Sequence, residues 1–134
     1  MTSFPLKIVT PDGLLYDGQA EEVVVRTTSG DMGVLAGHIN CVAPLGMGQA
    51  MILCNGQKRY AACIGGMLSV VNGEVTLVPT TFEWADKIDL QRAEASYEKA
   101  NKILNSGTAS DTELALAQAK LHRALVRKSV VSFK

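Results

Sequence analysis

Ile88-Asp89-Leu90-Gln91-Arg92-Ala93 is the stretch at which the chain changes period. Beyond it, Leu90, Ala93, Tyr97, Ala100 and Leu104 recur three and four residues apart, which places them on one stripe of an α-helix. Asp86 or Asp89 can cap that helix, and Asn105-Ser106-Gly107 ends it, with Gly107 able to take the left-handed conformation. Ser110-Asp111-Thr112-Glu113 is a capping box that opens a second helix. There Leu114, Ala117, Leu121, Ala124 and Lys128 keep the same spacing, so the two stripes face each other in an antiparallel hairpin.

Before the joint, short apolar runs alternate with turn residues, the pattern of an all-β sandwich or barrel. Expected strands are Phe4–Val9, Leu14–Tyr16, Ala20–Thr27, Val34–Ala36, Cys41–Leu45, Gln49–Cys54, Lys58–Cys63, Met67–Val71 and Glu74–Pro79, nine or ten in all. Asn55-Gly56 and Asn72-Gly73 carry the strongest hairpin signal, because a type I′ turn needs positive φ at both central residues. Ser29-Gly30-Asp31-Met32-Gly33 reads as a tight loop and leads into no helix, so it is not a phosphate-binding loop. The chain therefore divides into residues 1–86, a β domain, and residues 87–134, a helical hairpin.

Charge follows the same division. The first part carries four basic and eight acidic residues, the second nine basic and five acidic, so the two attract each other and suit partners of opposite sign. The overall balance, Lys+Arg 13 against Asp+Glu 13, argues against a nucleic-acid binder. Alanines alternate with larger residues along the hairpin seam, so the helices approach closely but bury little area. Such a pair is marginal alone and can dock, open or refold.

Cys41, Cys54 and Cys63 make an odd count without Cys-x-x-Cys spacing, which points to a reducing cytoplasm and to neither a disulfide framework nor a metal site. His38 and Cys41 together do not make a tetrahedral zinc site. Neither His38 nor His122 has a nucleophile suggested by spacing, so no catalytic residue is assigned and no enzyme is expected. No signal peptide is read in the opening Met-Thr-Ser-Phe-Pro, and no run is long enough to span a membrane.

Four pieces in register carry a resemblance over the whole chain. They are Val9-Thr10-Pro11-Asp12-Gly13, Gly30-Asp31-Met32-Gly33-Val34-Leu35-Ala36-Gly37-His38, Gly65-Gly66-Met67-Leu68, and Ile88-Asp89 with Arg92-Ala93. With the hairpin that follows, they resemble the epsilon subunit of bacterial F-type ATP synthases, called delta in mitochondria. The resemblance implies a ten-stranded flattened β-sandwich followed by two helices, in a central-stalk subunit without an active site and with no required cofactor. It implies the gamma subunit and the c-ring of the membrane sector as partners, and the catalytic alpha/beta head as a partner of the C-terminal helices. It also implies a place at the cytoplasmic face of the bacterial membrane, coupling ion-driven rotation to ATP synthesis and restraining ATP hydrolysis. The loop at the c-ring end corresponds to Ser29, Gly30, Asp31 and Met32. His38, Ile39 and Asn40 look like part of the face against gamma.

Some bacterial members of that family bind ATP through Ile or Leu, Asp, two variable residues, Arg and Ala, which Ile88, Asp89, Arg92 and Ala93 match. Asp89 can accept from an adenine amino group, and Arg92 can hold phosphate oxygens bidentately. Glu83 resembles another contact, Lys99 stands where a family Arg is often found, and Arg123 and Arg127 share a face of the second helix. The same residues also support plainer roles. Asp89 can be only a cap, Arg92 can pair with Glu94, Glu98 or the acidic sandwich, and the terminal cations can answer the helix dipole. The alternative function is a free-standing nucleotide-sensing adaptor, which would migrate alone on size exclusion of a lysate.

Overall fold

The computed structural model describes residues 2–133, so Lys134, one of the nine basic residues of the second part, lies outside them. The elements are β1 (Phe4–Thr10), β2 (Gly13–Ala20), β3 (Glu22–Thr27), β4 (Gly30–Leu35), β5 (Cys41–Pro44), β6 (Met47–Cys54), β7 (Gln57–Val71) and β8 (Glu74–Trp84). A 3-10 turn (Ala85–Lys87), α1 (Leu90–Leu104) and α2 (Asp111–Val131) follow.

Among the described residues eight strands replace the expected nine or ten, and the difference has one physical source. Lys58–Cys63 and Met67–Val71 were expected as separate strands, but β7 runs unbroken through Gly65 and Gly66 and changes partner there. Its first half pairs with β6, its second half with β5. The two glycines bend it with φ of +67° and +98°, and a Cβ on Gly66 would lie 2.0 Å from Val78 O of β8. Pro79, opposite Gly66, does not end β8 as expected, and the strand continues to Trp84. Because β7 and β8 bend together, eight strands supply ten segments in two five-segment layers. One layer is β2-β1-β8-β7-β5, from the first part of β8 and the second part of β7. The other is β8-β7-β6-β3-β4, from their remaining parts.

The layers enclose one core. Leu6, Ile8, Leu68, Val70 and Leu77 come from the first and Val23, Val25, Val34, Ile52 and Ala61 from the second, all nearly inaccessible to water. Alternation along the strands supplies this face: β1 reads buried, exposed, buried from Phe4 onward. Both Asn-Gly turns form as expected, with φ of 53° at Asn55 and 50° at Asn72. The expected loop Ser29–Gly33 does not form, since Gly30 already begins β4. A threonine makes that tight reversal possible. Thr27 Oγ1 accepts from Ser29 N–H (3.1 Å) and donates to Gly30 O (2.7 Å). Thr10 makes the same pair of bonds to Asp12 N–H (3.2 Å) and Gly13 O (3.3 Å) between β1 and β2.

The hairpin follows its sequence signals closely. Asp89, not Asp86, is the N-cap of α1, its Oδ1 accepting from Arg92 N–H at 3.1 Å. Ser110 caps α2 by accepting from Glu113 N–H, and its hydroxyl donates back to Glu113 Oε1, both at 3.2 Å. Ala93, Ala100, Ala117 and Ala124 are buried along the seam. The helix laid against the sandwich is α2, on β6 and β7. There Val126 and Val130 meet Ala62, Ala85 and Ile88, a second apolar cluster beside the sandwich core.

Candidate functional site

Glu83, Asp89, Arg92, Ala93 and Arg127 converge on a cavity of about 310 Å³ at the joint, together with Lys87 and Ser96. Four elements supply them: Glu83 is next to last in β8, Lys87 closes the 3-10 turn, Arg92, Ala93 and Ser96 stand on α1, which Asp89 caps, and Arg127 stands on α2. A second cavity of about 260 Å³ shares Ser96 and Arg127 with the first. It adds Lys99, Lys120 and Arg123, all cationic, together with Ala100 and Ile103. The first cavity thus mixes carboxylates with cations, whereas the charged residues lining the second are all cations. An anion entering the second cavity meets four positive side chains, Lys99, Lys120, Arg123 and Arg127, in a setting less screened than open water.

Arg127 Nε donates to Glu83 Oε1 at 2.5 Å, linking α2 to the end of β8. Both side chains are about one-third exposed, so the pair contributes modestly to stability and can be re-partnered by an incoming ligand. Arg92 enters neither of the two ion pairs found among the described residues, so the alternative pairing with Glu94, Glu98 or the acidic sandwich is not made. The Asp89 cap leaves its second oxygen available. Arg123 Nε donates weakly to Ala119 O at 3.4 Å.

Ile88 does not line the cavity. At 6% exposure it is buried against α2 in the second apolar cluster, so its place beside the charged residues is a packing role. Ala93 is buried too, at the cavity floor, where a small residue lets α1 and α2 close over the space. The sequence reading missed Lys87, Ser96 and Lys120. Two were legible, since Ser96 follows Arg92 by four residues and Lys120 precedes Arg123 by three, each on one helix face. Lys87 carried no such signal.

The residues expected to meet partners fall into two separate groups, at opposite ends of β4. Six residues at ~3.3 Å each put them roughly 20 Å apart. At one end, Ser29 is exposed in the turn, Gly30 begins β4 and Asp31 pairs across the hairpin with Arg26 at 3.5 Å. Met32 packs against the core. At the other, His38 Nδ1–H donates to Ile39 O (2.8 Å), and Asn40 Oδ1 accepts from Asn72 N–H (2.8 Å), tying this loop to the turn between β7 and β8. Ile39 projects with 78% of its surface exposed.

Family models match both parts of the chain. Residues 3–85 match the beta-sandwich domain of the ATP synthase delta/epsilon chain, and residues 86–132 its long alpha-helix domain. A relative from Bacillus velezensis, an ATP synthase epsilon chain, is 42% identical over 97% of this chain and 98% of its own. One from Ruminococcus albus is 38% identical over the full length of both. The chain belongs to the ATP synthase delta/epsilon family. It is a non-catalytic accessory chain of that machine. Membership agrees with a fold shared well beyond detectable sequence likeness. A chain of the Euglena gracilis mitochondrial ATP synthase, solved by cryo-electron microscopy with OSCP, F1 and c-ring, superposes with a TM-score of 0.85 at 21% identity. That match covers 96% of this chain and 81% of the other. A chain of the Tetrahymena thermophila mitochondrial ATP synthase central stalk and c-ring superposes at 0.63 with 10% identity, covering 95% of both.

Proposed function

We propose that this delta/epsilon-family chain is a central-stalk rotor subunit whose hairpin responds to ATP and restrains ATP hydrolysis. The sandwich carries the contacts to the rest of the rotor. The turn at Ser29 to Met32 meets the c-ring, and the opposite end at His38 to Asn40 meets gamma, in keeping with their separation along β4. The Euglena and Tetrahymena chains of like fold were solved with their c-rings, which supports this assignment. No helix among the described residues is long and apolar enough to cross a membrane. In the proposed setting the chain is held peripherally at the cytoplasmic face of a bacterial membrane by its partner subunits.

One observation carries the regulatory part. The cavity at the joint takes walls from β8, the 3-10 turn, α1 and α2, so it exists only while the hairpin lies on the sandwich. A ligand filling it favours the docked state by its differential affinity for the two states. The volume and the graded polarity suit a nucleotide, with the base toward Asp89 and Glu83 and the phosphates toward Arg92, Lys99, Arg123 and Arg127. Undocked, α2 offers Lys120, Arg123, Arg127 and Lys128 to an acidic segment of the catalytic head and obstructs rotation.

Isothermal titration of the isolated chain with ATP tests the ligand. Binding is expected in the wild type and at least tenfold weaker binding in Arg92→Ala, from loss of a charge-assisted contact of about 1.5–3 kcal/mol. Absence of heat in the wild type removes ATP as the ligand. Deleting residues 88–134 in an assembled complex is expected to raise ATP hydrolysis, and an unchanged rate removes the inhibitory role.

A further inference from the structure

One leg of the hairpin is joined to the sandwich by the chain itself, at Ile88. The other leg, α2, meets the sandwich through side-chain contacts, and the residues that close it aim one aromatic ring back at the sheet. Ser132 stays in the right-handed helical region, its Oγ donates to Ser129 O (2.7 Å), and Phe133 N–H donates to Val130 O (2.9 Å). The Phe133 ring then stacks on Tyr60 of β7, with ring centres 4.4 Å apart and planes inclined by 26°. Val126, Val130 and Phe133 are spaced four and three, so the stack extends the buried face by which α2 docks. Its receptor is braced: Tyr60 is paired with Met51 of β6, and neighbouring Arg59 lies 3.7 Å over the Trp84 ring. Phe133 is still 48% exposed, so it sits at the rim of the interface between α2 and the sheet.

We propose that the Tyr60–Phe133 stack is a latch that holds the hairpin on the sandwich without any ligand. The inference deepens the two-state hairpin proposed above and rests on it. It assigns the docked state two independent supports, the cavity ligand acting through Arg92, Arg123 and Arg127, and the aromatic stack acting just past α2.

Native-state hydrogen exchange on the nucleotide-free full chain tests the latch, with Phe133→Ala, Tyr60→Ala and the double variant compared with the wild type. Protection of α1 and α2 amides is expected to fall roughly two- to tenfold in each single variant, the range an aromatic pair supplies. The double variant is expected to fall no further than the larger single effect, and Phe133→Tyr to retain wild-type protection. Amides of β1, β3 and β6 are expected to keep their protection in every variant, which separates latch release from global unfolding. Unchanged hairpin protection in Phe133→Ala, or a double variant that multiplies the two single effects, overturns the latch alone. Wild-type hairpin amides that exchange only together with those of the sandwich overturn the two-state hairpin as well.

Discussion

The sandwich and the hairpin are two solutions to packing within one short chain. The sandwich core is filled by Leu6, Ile8, Ile52, Leu68 and Leu77, all at 1% exposure or less, between two layers that share bent strands. At the seam between the helices the fully buried residues are Ala93, Ala100, Ala117 and Ala124. A buried leucine contributes roughly 1.5–3 kcal/mol through its side chain and an alanine far less, while each ordered residue costs ~1–2 kcal/mol in either setting. The sandwich is therefore expected to stand by itself and the hairpin to depend on docking α2 through Val126 and Val130. The proposed regulation depends on this inequality, because only a marginal contact can be shifted by a ligand worth a few kcal/mol.

The comparison breaks most severely at Gly66. Alanine there meets Val78 O and Pro79 Cα inside van der Waals distance at a left-handed φ, so Gly66→Ala is expected to cost about 3–5 kcal/mol. Urea unfolding monitored through Trp84 reads that loss. A midpoint within error of the wild type would mean that the strand bend does not need glycine. A smaller effect is expected from Ala124→Leu, which overpacks the seam by about 2 kcal/mol. It should lower protection of α1 and α2 roughly thirtyfold and leave the sandwich midpoint unmoved. A shifted sandwich midpoint would show that the two parts unfold as one.

Alkali sharpens the contrast with a milder perturbation. Burial pushes the Cys63 thiol from 9.0 up to about 12. Below pH 9 the folded and unfolded chains both keep that proton and the thiol leaves stability unchanged. Between pH 9 and about 12 the unfolded chain loses it first, so stability falls as pH rises, by about 1 kcal/mol at pH 10. Cys63→Ala should remove this part of the slope. The thiol lies in the sandwich core, so the loss should appear in the sandwich transition.

Much of the fold was legible because the deciding signals are local. Asn55-Gly56 and Asn72-Gly73 specify their turns through two backbone dihedrals each, and Ser110 with Glu113 specifies a helix start within one turn. The strand count was not legible, since Gly65-Gly66 reads equally well as a break or a bend. The partners on either side, β6 and β5, settle it. At the joint, Asp89 was legible as a cap and Arg92 as a charged neighbour. The convergence of Glu83, 44 residues before Arg127, was not derivable from spacing and entered only through family resemblance. Val126, Val130 and Phe133 went unread as a docking face because α2 is apolar on two sides, and the side facing α1 already accounted for its pattern.

By itself the sequence determined the period change at Ile88, the caps, the turns and the seam of alanines, each an interaction between residues a few positions apart. The tertiary structure alone decided that β7 and β8 bend through both layers, that α2 is the helix against the sheet, and that Ile88 is buried beside a cavity it does not line. These outcomes depend on which surfaces meet, and that is fixed by shape and burial summed over the whole chain, which no local pattern encodes.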